Sequence, residues 1–112
     1  MWNADAQTMP RERLREVQTE RLRTQVARLY ERVPFYRGRM DAAGVRPSDI
    51  GSLADIAKLP FTSKYDMREV FPFGLLAVDR TEIVEAHMSS GTTGKPVVDA
   101  YTRGDLELWG DV

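Results

Sequence analysis

The 112-residue chain has no cysteine and only one histidine. Without cysteine there is no disulfide framework, no thiolate nucleophile and no cysteine-based metal site. No apolar run approaches the length of a membrane-spanning helix. The opening residues, Met1-Trp2-Asn3-Ala4-Asp5-Ala6, lack the basic-then-apolar order of an export signal. A soluble, cytoplasmic chain is the expectation. The carboxylates show no paired spacing that separates them from surface charge, which leaves glycosidase or metal-hydrolase chemistry without a footing. Internal repeats and low-complexity tracts are absent as well.

What is present is ordinary globular composition, 42% hydrophobic and 29% charged, with a net charge of −1. That balance gives no reason to expect nucleic acid or an anionic membrane as partner. The charge is uneven, however. The first 39 residues carry nine arginines against five carboxylates, whereas the remainder carries seven basic against twelve acidic residues. A solvated helix face lying near an acidic neighbour accounts for this better than a nucleic-acid patch.

Residues 1–8 are polar and read as a frayed end. A long helix begins near Pro10, with Leu14, Val17, Leu22, Val26, Leu29 and Val33 forming one apolar stripe, read as core. Pro34 closes it and suits the first turn of a shorter helix through Phe35, Tyr36 and Met40, with Gly44 as a left-handed stop. Pro47 to Ile50 is a turn or short helix. Ser52 with Asp55 forms a capping box for 53–58, Thr62 caps a helix from Ser63 to about Val70, and Thr102 with Asp105 caps a last helix. Leu106 and Trp109 on that helix have no visible partner. Ile83 to Met88 and Val97 to Thr102 read as strands.

Between these strands lies Ser89-Ser90-Gly91-Thr92-Thr93-Gly94-Lys95-Pro96. Its glycines let backbone N–H groups converge, and its hydroxyls and ammonium add donors for phosphate oxygens. It is not the kinase-type P-loop: Ser89 replaces the first glycine, Pro96 replaces the final hydroxyl residue, and a strand rather than a helix follows. An ordinary Gly/Ser/Thr-rich hairpin turn is the competing reading. His87, two residues before the loop, reads either as a contact to substrate or phosphate, or as a neutral supporting histidine bonded to backbone; the second is favoured. Phe71, Phe73 and Tyr101 either line an aryl pocket or anchor loops onto the core, and the second is again favoured. Lys64 reads as a surface lysine.

Ser89 to Pro96 resembles the SSGTTGKP signature of acyl-adenylate-forming enzymes. Upstream and downstream blocks are similar to the phenylacetate–CoA ligase branch of that family: Glu31-Arg32-Val33-Pro34-Phe35-Tyr36, Leu59-Pro60-Phe61-Thr62-Ser63-Lys64, Phe71-Pro72-Phe73-Gly74-Leu75 and Tyr101-Thr102-Arg103-Gly104-Asp105-Leu106. The resemblance implies an α/β fold in which residues 9–78 form a mainly helical N-terminal segment. Residues 79–112 would then open a truncated AMP-binding domain. It implies that Ser89, Ser90, Gly91, Thr92, Thr93, Gly94 and Lys95 grip the β- and γ-phosphates of ATP. Mg²⁺ and coenzyme A would be the other cofactors, a small aryl carboxylic acid the substrate, and a homodimer the full-length assembly. No catalytic residue and no metal ligand can be assigned within these residues. The chain reads as part of a longer protein, inactive alone. A related aryl-acid adenylating enzyme, or a non-catalytic short helical interaction protein, are the alternatives.

Overall fold

A proline cannot donate the first intrahelical hydrogen bond, and the start of a helix does not ask it to. Pro10 accordingly sits as the N-cap of the longest element, and its carbonyl accepts from Leu14 N at 2.9 Å. The computed structural model describes residues 4–90, 94 and 96–110. A single exposed turn, α1 (Ala4–Gln7), precedes α2 (Arg11–Arg32), and α3 (Pro34–Ala42) follows. Val33 is extended at φ −117° and ψ 99°, as expected of a residue that precedes proline. Gly44 then takes φ +68° and closes α3, with Val45 N donating to Met40 O at 2.9 Å.

Two 3₁₀ turns, Pro47–Asp49 and Leu53–Lys58, lead to α4 (Lys64–Glu69). A third, Arg80–Glu82, introduces β1 (Ile83–Met88), which pairs with β2 (Val98–Thr102); α5 (Arg103–Gly110) follows. The sheet is two-stranded and antiparallel. The architecture is therefore a helical segment followed by a hairpin.

The core is small and sits where α2, α3 and the first 3₁₀ turns meet. Val26, Met40, Val45 and Ile50 form it, with Leu22, Tyr30 and Leu59 packed against them. Val33, at the α2–α3 corner, is fully buried. The apolar stripe of α2 is core only in part. Val26 and Val33 are buried, but Leu14, Val17, Leu22 and Leu29 are half-buried. The reason is geometric: α3 and the two turns pack against α2, and near its front half Val17 lines an open hollow with Leu108 of α5.

Arg37 and Arg39 of the arginine-rich first 39 residues, with Arg46, make contacts inside the fold. Arg37 donates to the carbonyls of Tyr30 (2.7 Å) and Glu31, which belong to the otherwise unsatisfied last turn of α2. Arg46 pairs with Asp41 at 2.8 Å, and the Tyr30 hydroxyl donates to the same carboxylate at 2.7 Å. Arg39 lies over the Phe35 ring and pairs with Asp66 of α4, 27 positions away.

Candidate functional site

β1 and β2 flank the Ser89–Pro96 segment. Their register pairs Ile83 with Thr102, Glu85 with Tyr101, Ala86 with Ala100, His87 with Asp99 and Met88 with Val98, with an irregularity between Ile83 and Glu85. The pairing continues one step beyond the strands. Ser89 N donates to Val97 O at 3.0 Å, and Val97 N donates to Ser89 Oγ at 2.9 Å. The hairpin is thus closed at Ser89 and Val97 by two hydrogen bonds. Val97 is buried there. Because Ser89 Oγ accepts from backbone, its own proton remains available to donate outward.

Gly94 has φ +133°, a region that residues with a side chain rarely adopt. Ser90 is exposed. Gly91, Thr92, Thr93 and Lys95 lie outside the described residues. Among the expected phosphate contacts, then, Ser89, Ser90 and Gly94 have a described place, and the hairpin brings them to one end.

The segment beneath the loop is α4. Ser63 is its N-cap: Asp66 N donates to Ser63 Oγ at 3.4 Å, and Ser63 N donates to Asp66 Oδ2 at 2.7 Å. The expected cap, Thr62, is one residue early, since only Ser63 has an acid three positions on to complete the box. Asp66 is buried, and its carboxyl is held below the usual range by the Ser63 backbone N–H first and the Ser63 hydroxyl next. Burial opposes this, and the Arg39 charge lowers it further. Asp55 and Asp105 are lowered in the same manner. Lys58 is the largest influence on Asp55, and the Thr102 N–H is the largest on Asp105.

Arg68, also on α4, was not singled out by any local pattern. A Cβ built on Gly94 would lie 3.8 Å from Arg68 Nη1 and 3.9 Å from Cζ, so this guanidinium rests against the turn of the loop. Met67 and the turn residues Phe73, Leu75 and Leu76 share a hollow of about 230 Å³ with Val98, Ala100 and Tyr101 of β2.

His87 is bonded otherwise than expected. Its ring Nε2 lies 2.5 Å from Glu85 Oε1, a carboxylate rather than a backbone group, because residues two apart on a strand share a face. The ring stacks edgewise on Tyr101 at 5.3 Å, and Trp109 of α5 closes on both, 5.3 Å from Tyr101 and 6.1 Å from His87. Trp109, expected without a partner, therefore finds one in the hairpin. Phe73 lies under the Arg80 guanidinium at 4.6 Å, and Lys64 is exposed. Among the described residues no three His, Asp or Glu side chains gather as a metal-holding group.

No family model matches the chain. It is 51% identical over 112 residues to the phenylacetate-coenzyme A ligase of Thermus thermophilus, covering all of this chain and 25% of that protein. Over 99 residues it is 52% identical to the phenylacetate-coenzyme A ligase of Aromatoleum evansii and 46% identical to that of Escherichia coli, covering 88% of this chain and 22% and 23% of theirs. The chain thus spans about a quarter of the length of these curated relatives, at their N-terminal end. Among solved structures it is similar to a 2-hydroxyisobutyryl-CoA ligase in complex with 2-HIB-AMP and CoA. The TM-score is 0.82 at 36% identity, covering 90% of this chain and 22% of that one. A second structure of that ligase, in the postadenylation state with 2-HIB-AMP, gives a TM-score of 0.81 at 32% identity.

Proposed function

We propose that this chain is the N-terminal part of an ATP-dependent phenylacetate–CoA ligase. Its place would be the opening step of aromatic acid breakdown. One observation carries the reading: an SSGTTGKP segment, seated on a two-stranded hairpin, within a chain about half identical to phenylacetate-coenzyme A ligases along its whole length.

The reaction runs in two steps. A carboxylate oxygen of phenylacetate attacks the α-phosphorus of ATP, the bond to the bridging oxygen breaks, and pyrophosphate leaves with the electron pair. The thiol of coenzyme A then attacks the acyl carbon, loses its proton, and expels AMP. In the first step negative charge accumulates on the leaving pyrophosphate. Donors fixed against its oxygens stabilise that charge and align the departure. The Ser89 hydroxyl proton, Ser90, the backbone at Gly91 and Gly94, the hydroxyls of Thr92 and Thr93 and the Lys95 ammonium supply donors of this kind. His87, tied to Glu85, supports the strand that delivers Ser89. No step is assigned to Mg²⁺ on these residues.

On this reading residues 79–112 open the AMP-binding domain behind a helical segment at 9–78, and the full-length enzyme is a cytoplasmic homodimer. The 112 residues alone are expected to show no ligase activity, since they span a quarter of the relatives' length. A second reading is an adenylating enzyme with another acid, favoured by the fold likeness to a 2-hydroxyisobutyryl-CoA ligase.

The test is acid-dependent exchange of labelled pyrophosphate into ATP by the longest chain the gene encodes. Phenylacetate, benzoate, aminobenzoates, 2-hydroxyisobutyrate and a fatty acid are offered separately. Exchange led by phenylacetate supports the first reading; exchange led by another acid supports the second. Thr93→Ala with Lys95→Ala slows exchange strongly if the loop grips the phosphates. Unchanged exchange in that double variant removes the loop from the mechanism.

A further inference from the structure

The hairpin's end is closed at its neck and also approached from outside. Its neck is fixed by Ser89 and Val97, and Gly94 is approached by a group from outside the hairpin. The group that reaches it is the Arg68 guanidinium, 3.8 Å from the Cβ position of Gly94. Arg68 Nε is shielded from solvent, and the Arg68 Cζ sits 5.9 Å from the Tyr65 ring centroid. The planar cation therefore lies near both the Tyr65 ring and Gly94. That position suits a guanidinium, which is flat and weakly hydrated, better than an ammonium.

The helix that presents Arg68 is only six residues long and cannot hold a direction alone. Two attachments fix it. The Ser63–Asp66 box closes its N-terminus, and Arg39 reaches from α3 to the same Asp66 carboxylate. A continuous path thus runs from the α2–α3 core, through Arg39 and Asp66, along one turn of α4, to Arg68 and Gly94.

We propose that Arg68 is a positioning residue for the phosphate loop. It braces the backbone at Gly94 and keeps the loop in the shape that receives the triphosphate, acting through the loop rather than on the reacting atoms. The inference rests on the ligase reading above and adds to it a residue outside the signature motif.

The experiment uses the longest chain the gene encodes. ATP binding is measured by titration calorimetry, and exchange kinetics are run for wild type, Arg68→Met, Arg68→Lys and the exposed α2 control Arg23→Met. Misplacing the loop weakens ATP binding in Arg68→Met on the order of tenfold and raises the KM for ATP by a similar factor. The KM for the carboxylate stays unchanged, and the melting temperature stays within about 2 °C of wild type. Arg68→Lys recovers only part of the loss, and Arg23→Met matches wild type. ATP affinity unchanged in Arg68→Met overturns the inference. So does a parallel loss for both substrates together with a large fall in melting temperature, the mark of a purely structural residue. Full recovery by lysine overturns bracing by the guanidinium plane. A wild-type chain that binds no ATP takes down the ligase reading, and this inference with it. A wild-type chain that binds ATP no better than Arg68→Met sinks the inference alone.

Discussion

Replacing Gly94 with alanine tests how the loop works through its backbone. At φ +133° the penalty is conformational, because the added Cβ meets Arg68 at 3.8 Å, ordinary van der Waals contact. Holding a residue with a side chain in such a region costs roughly 1–3 kcal/mol. On the ligase reading, strain at Gly94 would be shed by rotating its backbone, moving N–H donors off the phosphates. If the whole cost falls on binding, ATP affinity drops by about 5- to 150-fold. Gly44→Ala is the internal control. Its φ of +68° carries a related penalty of roughly 1–2 kcal/mol, nothing lies within 4 Å, and the site caps α3 far from the loop in sequence. It should lower the melting temperature and leave ATP affinity alone. The assay is calorimetric titration with ATP, paired with thermal unfolding of each variant. Wild-type affinity in Gly94→Ala, with or without a fall in melting temperature, refutes the link between this turn and the phosphate grip.

Three other outcomes follow from the fold. Ile50→Ala empties a core position at 1% exposure and should destabilise the helical segment by about 2–5 kcal/mol in denaturant unfolding. Ser63→Ala removes the cap of α4 and should cost about 1 kcal/mol, with faster amide exchange confined to residues 64–69. Asp66 gives the pH response. Its folded pKa is lowered, so the stability it contributes is present above the unfolded value of about 3.9 and is lost as pH falls through the folded one. Amide exchange in α4 should therefore rise on acidification below about pH 4, and Asp66→Asn should abolish that dependence.

Signals that close within three or four residues were legible in the sequence. Ser52 with Asp55 and Thr102 with Asp105 pair as their spacing indicated, at 2.8 Å from each backbone N–H, and Pro34 and Gly44 end their helices where sterics require. The cap of α4 was misread between two adjacent hydroxyls, although Asp66 three positions after Ser63 already decided it. His87 and Glu85 were readable too, as neighbours on one strand face. The stripe on α2 identified the inward side but not how far along the helix a partner reaches. Arg39 with Asp66 and Arg68 with Gly94 left no trace, because neither pair is local and each depends on how α4 is seated. The motif itself was the clearest feature of the sequence. What supports it was not.

The ring stack on the hairpin has an optical consequence. Indole emission responds to the polarity and charge beside the ring, and Trp109 lies 6.1 Å from His87 and 5.3 Å from Tyr101. His87 is two residues upstream of Ser89 on the same strand, and Tyr101 faces Glu85 across the ladder. A shift at the loop's neck is thus carried into the surroundings of a fluorophore already in place. Within these 112 residues, replacing Trp2 with phenylalanine leaves Trp109 as the sole indole, a built-in gauge of the neck read without a label attached to the loop.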